Sequence, residues 1–331
     1  MYLGYIHSFR GLAILMIVSG HVLPWGLFGW DGSEWEYEMV RTFLRNDTIA
    51  FVFISGFLFQ HLAHKFEVKR YYLSKFKFVL LPYLVVCIPA ILKMLFVDGG
   101  APYENASPFA AVLYTWYYGT GQQYLWYIPM ITVVFLLGVP LNKYGSKPGF
   151  YACLPVLIIL SLFLGRGPNP WHNAAYFLSI YVLGMWVRLH LDAFHLRFRS
   201  WLVPSILVST GLYCLEIWLR LNRPDLPLAL ALSYLRWAIG CLIICWLFKK
   251  YEERLPEVLG SLATLSFGIF FIHGYAISAV ERILARFGLH QAPKNLLMVL
   301  LGIVVITGLT SLVLVVIKKV TGKKSRYLVG C

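Results

Sequence analysis

SFRGLAILMIVSGHVLPW, residues 8–25, places an arginine and a histidine on an otherwise apolar helical pattern, with ten uncharged residues between Arg10 and His21. An α-helix rises about 1.5 Å and turns about 100° per residue, so eleven steps advance roughly 16 Å and return to within about 20° of the starting azimuth. Arg10 and His21 therefore share a face, with Arg10 expected at the start of the helix. If the run crosses a bilayer whose hydrocarbon core is about 30 Å thick, Arg10 sits at one surface and His21 close to the midplane. An imidazole at that depth marks either a functional group or a histidine hydrogen-bonded to a neighbouring helix. The run leads into Pro24 and Trp25 rather than a small-residue cleavage site, which predicts an uncleaved first span.

The composition agrees. Of the 331 residues 59% are apolar and 13% charged, about half the charge of a soluble domain, so the chain reads as a polytopic membrane protein. Its 11 Trp, 21 Tyr and 23 Phe suit interfacial belts. A net charge of +14 would suggest nucleic acid in a soluble protein, but here the basic residues fall in short loops and set orientation instead, so no nucleic-acid partner is expected. The six cysteines (87, 153, 214, 241, 245, 331) lie mostly in apolar runs without metal or redox spacing, and no metal site is expected.

Working outward, ten apolar segments are expected as spans, at about 10–29, 48–63, 79–97, 124–141, 150–165, 173–188, 201–219, 228–248, 260–281 and 296–317. This predicts an all-α bundle of about ten transmembrane helices, one domain over residues 1–331, without an internal repeat. An even count puts both termini on one side. With a cytoplasmic N-terminus, nineteen of the 29 basic residues fall in the cytoplasmic loops and tails, which favours both termini in the cytoplasm. The segment 101–123 is aromatic but broken by Pro and Gly, and reads as interfacial or re-entrant rather than as a further span.

Few ionisable groups lie inside these spans. Besides His21 they are Glu216, Arg236, His273 and Glu281. Glu216 and Arg236, on consecutive spans, are placed to pair, either as a structural salt bridge or as part of a substrate site. His273, in SFGIFFIHGYAIS, either bonds another helix or joins the chemistry. Ser55 and Gly56 in FVFISGFLFQ are small residues that admit a close helix neighbour and could seat the first span. Lys75 and Lys77, before Pro82, are either topology anchors or, with Arg10, a basic cluster for the phosphates of a nucleotide-containing cofactor.

Arg10–Gly11 with His21, FVFISGFLF, KFKFVLLPYLVV, QQYLWYIPMI at 122–131 and SLATLSFGIFFIHGYAIS at 261–278 resemble, in that order, the acyltransferase-3 family of bacterial membrane acyltransferases. The resemblance spans nearly the whole chain and fits the compact members without a periplasmic hydrolase-like domain. It implies an O-acyltransferase of the bacterial inner membrane that moves an acyl group, usually acetyl from cytoplasmic acetyl-coenzyme A, to a glycan hydroxyl on the outer side. The histidine matching His21 is regarded as essential in the family, and the arginine matching Arg10 is its partner. Two departures stand out. Relatives often carry an acid where this chain has His7, and arginines where it has Lys75 and Lys77, which keep the charge but lose the bidentate fork.

The resulting expectation has Arg10, Lys75 and Lys77 holding the coenzyme A phosphates and His21 acting as general base or transient acyl carrier. Glu216, Arg236 and His273 are candidate substrate-binding residues. Expected partners are bilayer lipids, the glycan acceptor and polysaccharide-synthesis or export proteins. The rival readings are a glycan or lipid-linked sugar transporter without catalysis and a structural subunit of an export complex. The absence of an inverted repeat weighs against the transporter.

Overall fold

A computed structural model describes residues 3–23, 29–30, 32–45, 48–97, 107–289 and 293–331. Helix α1 is Gly4–Val22. It begins six residues before Arg10, so the arginine lies almost two turns inside the helix rather than at its start; Pro24 and Trp25 fall outside the described residues. Amphipathic helix α2 (Glu34–Leu44) opens with a capping box between Ser33 and Glu36 and precedes α3 (Ile49–Leu62). Next, α4 (Val68–Lys75) passes through a π-helical turn at Phe76–Leu80 into α5 (Leu81–Phe96). Pro82 has no N–H to donate, and the widened turn before it absorbs the break in the ladder.

Helix α6 (Pro108–Tyr118) has 11 residues. At about 16 Å it is roughly half as long as a bilayer core requires; the earlier part of the aromatic segment, 101–106, lies outside the described residues. Where the sequence predicts one span over 124–141, there are two helices, α7 (Tyr127–Leu136) and α8 (Gly138–Gly145), bent by 56°. Pro140 cannot donate to the Leu136 carbonyl four residues back, and the Tyr72 hydroxyl donates to it instead at 3.1 Å.

A 3-10 turn at Pro148–Cys153 leads into α9 (Leu154–Leu164). The remaining helices are α10 (Pro170–Leu189), α11 (Leu191–Asn222), α12 (Leu228–Lys250), α13 (Glu257–Arg286), α14 (Leu296–Thr321) and α15 (Ser325–Leu328). A two-residue parallel bridge, Gly29–Trp30 with Pro293–Lys294, is the one strand pairing among the described residues.

By length and apolarity six helices qualify to cross a membrane, or seven if the bent pair α7–α8 is one span. The chain is thus an all-helical, multi-pass membrane protein. Helices α1 and α10 stay below that threshold for a physical reason. They carry Arg10 and His21, and His172, Asn173 and Arg188, yet neighbouring helices sheathe them, so they need not be apolar all round. The lipid-like surface lies on outer helices, as with Leu207 of α11 and Val304 of α14, both exposed.

The tightest crossing joins α3 to α10. A Cβ on Gly56 would lie 1.9 Å from the Tyr181 carbonyl oxygen, and one on Gly184 would lie 2.1 Å from that of Phe53. Gly56 thus admits α10, not the first helix. Helix α1 is met instead by the aromatic side of α3, with Phe9 against Phe53 and Tyr5 against Phe57. Gly56→Ala is therefore expected to destabilise the fold by about 1–3 kcal/mol through overpacking. Gly211→Ala, with open space around it, is expected to be neutral or stabilising by up to ~1 kcal/mol. Thermal unfolding in detergent compares the two, and equal melting temperatures would refute the close approach.

Candidate functional site: the α1–α13 seam and its cavity

Helices α1 and α13 run parallel and pack along their length. Their contact is close because a Cβ on Gly11 would fall 2.0 Å from the Leu259 carbonyl oxygen. At this end Tyr5 N–H donates to Glu252 at 3.0 Å, His7 Nε2 bonds the Gly260 carbonyl at 3.0 Å, and Arg10 donates to the Ala263 carbonyl at 2.6 Å. His7 is thus a donor to α13 backbone. Eleven residues on along α1 and ten along α13, the seam brings His21 and His273 together, with ring centroids 5.2 Å apart.

The backbone sets the proton positions on both rings. Nδ1 of His21 lies 2.8 Å from the Ile17 carbonyl, and Nδ1 of His273 lies 3.0 and 2.9 Å from those of Ile269 and Phe270. A carbonyl only accepts, so each Nδ1 carries the hydrogen and each neutral ring holds its lone pair at Nε2. His273 is fully buried, and its Nε2 has no hydrogen-bond partner among the described residues. Tyr124 completes the cluster. Its ring lies 4.0 Å from His273 and 5.6 Å from His21, and its hydroxyl donates to the Phe271 carbonyl at 2.9 Å. Gly274 makes room for it, since a Cβ there would lie 2.2 Å from the tyrosine ring.

Half-buried His21 lines a cavity of about 320 Å³ with Tyr124, Trp126, Arg41, Arg45 and Arg166, near the lower end of the size typical for small-ligand sites. The Arg166 guanidinium lies 4.4 Å from the Trp126 ring centroid, a cation–π arrangement. These arginines escaped the sequence analysis, although they left a signal: they belong to the minority of basic residues outside the loops assigned to the cytoplasm. Tyr124 and Trp126 stood within the quoted QQYLWYIPMI motif without an assigned role.

The other expected site residues divide. Lys75 Nζ lies 4.2 Å from the Phe135 ring centroid and 5.3 Å from that of Tyr71, against α7 and α4 rather than on the seam that holds Arg10. Lys77 is exposed on the π-helical turn. Glu216 and Arg236 do pair, at 3.1 Å, and Arg220 donates to the same carboxylate at 2.8 Å. Arg236 also donates to the Thr42 carbonyl at 2.9 Å, so the cluster ties α11 and α12 to the end of α2. Neither Glu216 nor Arg236 lines the His21 cavity.

An all-helical, multi-pass bundle with a histidine-lined cavity at a helix seam defines the class as a polytopic membrane protein. The chain matches the family model of the acyltransferase domain over residues 3–316. It belongs to the acyltransferase-3 family, and the plain reading is a membrane acyltransferase. No curated protein and no solved structure matches it significantly.

Removing one member of a buried ion pair strands the other, at a cost of about 3–5 kcal/mol. Arg236→Ala is expected to lower thermal stability in detergent by that order while the folded fraction keeps its activity per molecule. Wild-type stability with lost activity would instead make the pair part of the binding machinery.

Proposed function

We propose that this acyltransferase moves an acyl group, most simply acetyl, from cytoplasmic acyl-coenzyme A to a hydroxyl of an extracytoplasmic or lipid-linked glycan. The observation that carries this reading is the His21 tautomer. The Ile17 carbonyl holds the Nδ1 proton, which leaves the basic lone pair on Nε2 of a side chain that lines the cavity. A base of this kind contributes about 10²–10⁴ in rate.

Adding α1, α9 and α10 to the seven apolar spans gives ten, with both termini in the cytoplasm of a bacterial cell and the bundle in its inner membrane. The lysine-rich end, including Lys75 and Lys77, then faces the cytoplasm. Arg10, roughly 16 Å along α1 from His21, is spaced to hold donor phosphates while an extended pantetheine arm reaches the histidine. Arg10, oriented by its bond to Ala263, fits a polyanionic donor by charge.

The bound donor supplies an activated acyl carbon. His21 Nε2 takes the proton of the acceptor hydroxyl as its oxygen attacks that carbon, and the imidazolium returns the proton to the departing sulfur. The same nitrogen is placed to carry the acyl group transiently in a two-step route. Tyr124 and His273 pack against the His21 ring and hold it in place, and polysaccharide-synthesis or export proteins would supply the acceptor.

Membranes carrying the wild-type chain are expected to transfer label from radiolabelled acetyl-coenzyme A to glycan. His21→Ala at equal protein level is expected to reduce that transfer at least about a hundredfold. Equal label in both samples would remove His21 from the mechanism.

A further inference from the structure

His273 is not among the residues that line the His21 cavity, and packing alone does not account for it. Its side chain is fully buried, its Nδ1–H is taken by the Ile269 and Phe270 carbonyls, and its Nε2 has no hydrogen-bond partner among the described residues. A lone pair buried in this way gives up its water and gains nothing in return. A phenyl ring, such as those of Phe270 and Phe271 on the same helix, fills buried space without that cost. An unpaired acceptor at this depth calls for a donor that forms only during the reaction.

The rings packed on His273 narrow the choice of donor. Tyr124, 4.0 Å away between centroids, already donates its hydroxyl to the Phe271 carbonyl, and Phe270 at 6.3 Å has no polar side-chain atom. The third ring is that of His21, at 5.2 Å. Imidazole nitrogens lie roughly 1.1 Å from the ring centroid, so facing nitrogens at that separation approach to about 3 Å, a hydrogen-bonding distance. Neutral His21, with its Nδ1–H on the Ile17 carbonyl, offers a second lone pair at Nε2. Once Nε2 takes a proton it becomes a donor, the group that His273 lacks.

Resting on the acyl-transfer reading above, we infer that His273 is a positioning residue whose Nε2 accepts a hydrogen bond from the protonated Nε2 of His21, stabilising the imidazolium through which acyl transfer passes. The acceptor O–H bond breaks as its oxygen bonds the acyl carbon, and the proton goes to His21 Nε2. It stays there, shared with His273 Nε2, while the carbon–sulfur bond breaks, and then passes to the thiolate sulfur. His273 stays neutral throughout, with its own hydrogen on Nδ1 between two carbonyls that cannot take it. Two imidazolium rings this close would repel, so the pair carries a single positive charge. A neutral imidazole thus fills the role that a carboxylate fills in a Ser–His–Asp triad.

The test uses two replacements in the full-length chain that divide the ring's functions. An Asn amide reaches the position of Nδ1 and a Gln amide that of Nε2, so His273→Asn keeps a donor for α13 backbone without the acceptor, and His273→Gln supplies the acceptor. His273→Asn is expected to lower kcat for acetyl transfer by about tenfold or more, with KM for acetyl-coenzyme A within about twofold of wild type. His273→Gln is expected to raise kcat at least about threefold above the Asn variant. A second readout does not depend on turnover. In the wild-type chain with isotope-labelled histidine, lowering the pH to charge His21 is expected to produce a nitrogen–nitrogen coupling through the hydrogen bond to His273, absent from His273→Asn. Tyr124 and the cavity arginines, also titratable groups around His21, keep their charge state between about pH 5 and 8.

Wild-type kcat in His273→Asn would overturn the proposal, as would the absence of coupling in the wild-type chain with His21 charged. An equal loss of kcat in the Asn and Gln variants, with lowered melting temperatures, would reduce His273 to packing and overturn it too. A wild-type chain that shows the coupling but transfers no acetyl group to glycan would sink the acyl-transfer reading while leaving the His21–His273 bond standing.

Discussion

The close approach of α1 to α13 at Gly11 is the constraint on which the rest depends. Without a Cβ at that position the Leu259 carbonyl can come against α1, and only at that distance can Arg10 reach the Ala263 carbonyl and His21 meet His273. Away from water, a guanidinium or an imidazole must find its partners in protein. The seam supplies them from backbone: carbonyls of α13 for His7 and Arg10, and carbonyls of their own helices for the two buried-facing Nδ1 groups. Because backbone carbonyls cannot titrate, they fix ring tautomers more firmly than a side-chain partner would.

The bundle around the seam has two chemically different ends. Lysines dominate near the start of α1, α13 and α4, whereas arginines dominate where α2, α9 and the α11–α12 loop converge. Lysine is a strongly hydrated point charge, suited to an interface, while guanidinium tolerates partial burial and aromatic contact. That difference explains why Arg166 can lie against Trp126 and Arg236 against Trp237. Lys75 is the exception, half-buried over Phe135, where its stem packs on aromatic surface.

Rigidity reaches the cavity wall through two anchors. The Glu216–Arg220–Arg236 cluster secures α2, which supplies Arg41, and the chain just beyond it is held by Trp237, whose indole N–H donates to the Arg45 carbonyl at 2.8 Å. On the other side the glycine-lined crossing of α3 and α10 fixes Phe177, which stacks on Trp126. A site built on such elements holds its geometry without a ligand.

The sequence by itself determined the membrane class, the family resemblance later matched over residues 3–316, the shared face of Arg10 and His21, and the pairing of Glu216 with Arg236. All of these follow from local periodicity, composition or short-range chain geometry. Tertiary structure decided what periodicity cannot encode. It chose α10 rather than α1 as the neighbour of Gly56, broke the 124–141 run at Leu137, and turned Tyr124 and His273 toward His21. It also gathered Arg41, Arg45 and Arg166, which are up to 125 residues apart in the chain, around one cavity. Those arrangements depend on which helices touch, and helix contacts are set by the shape of whole surfaces rather than by any one stretch of sequence.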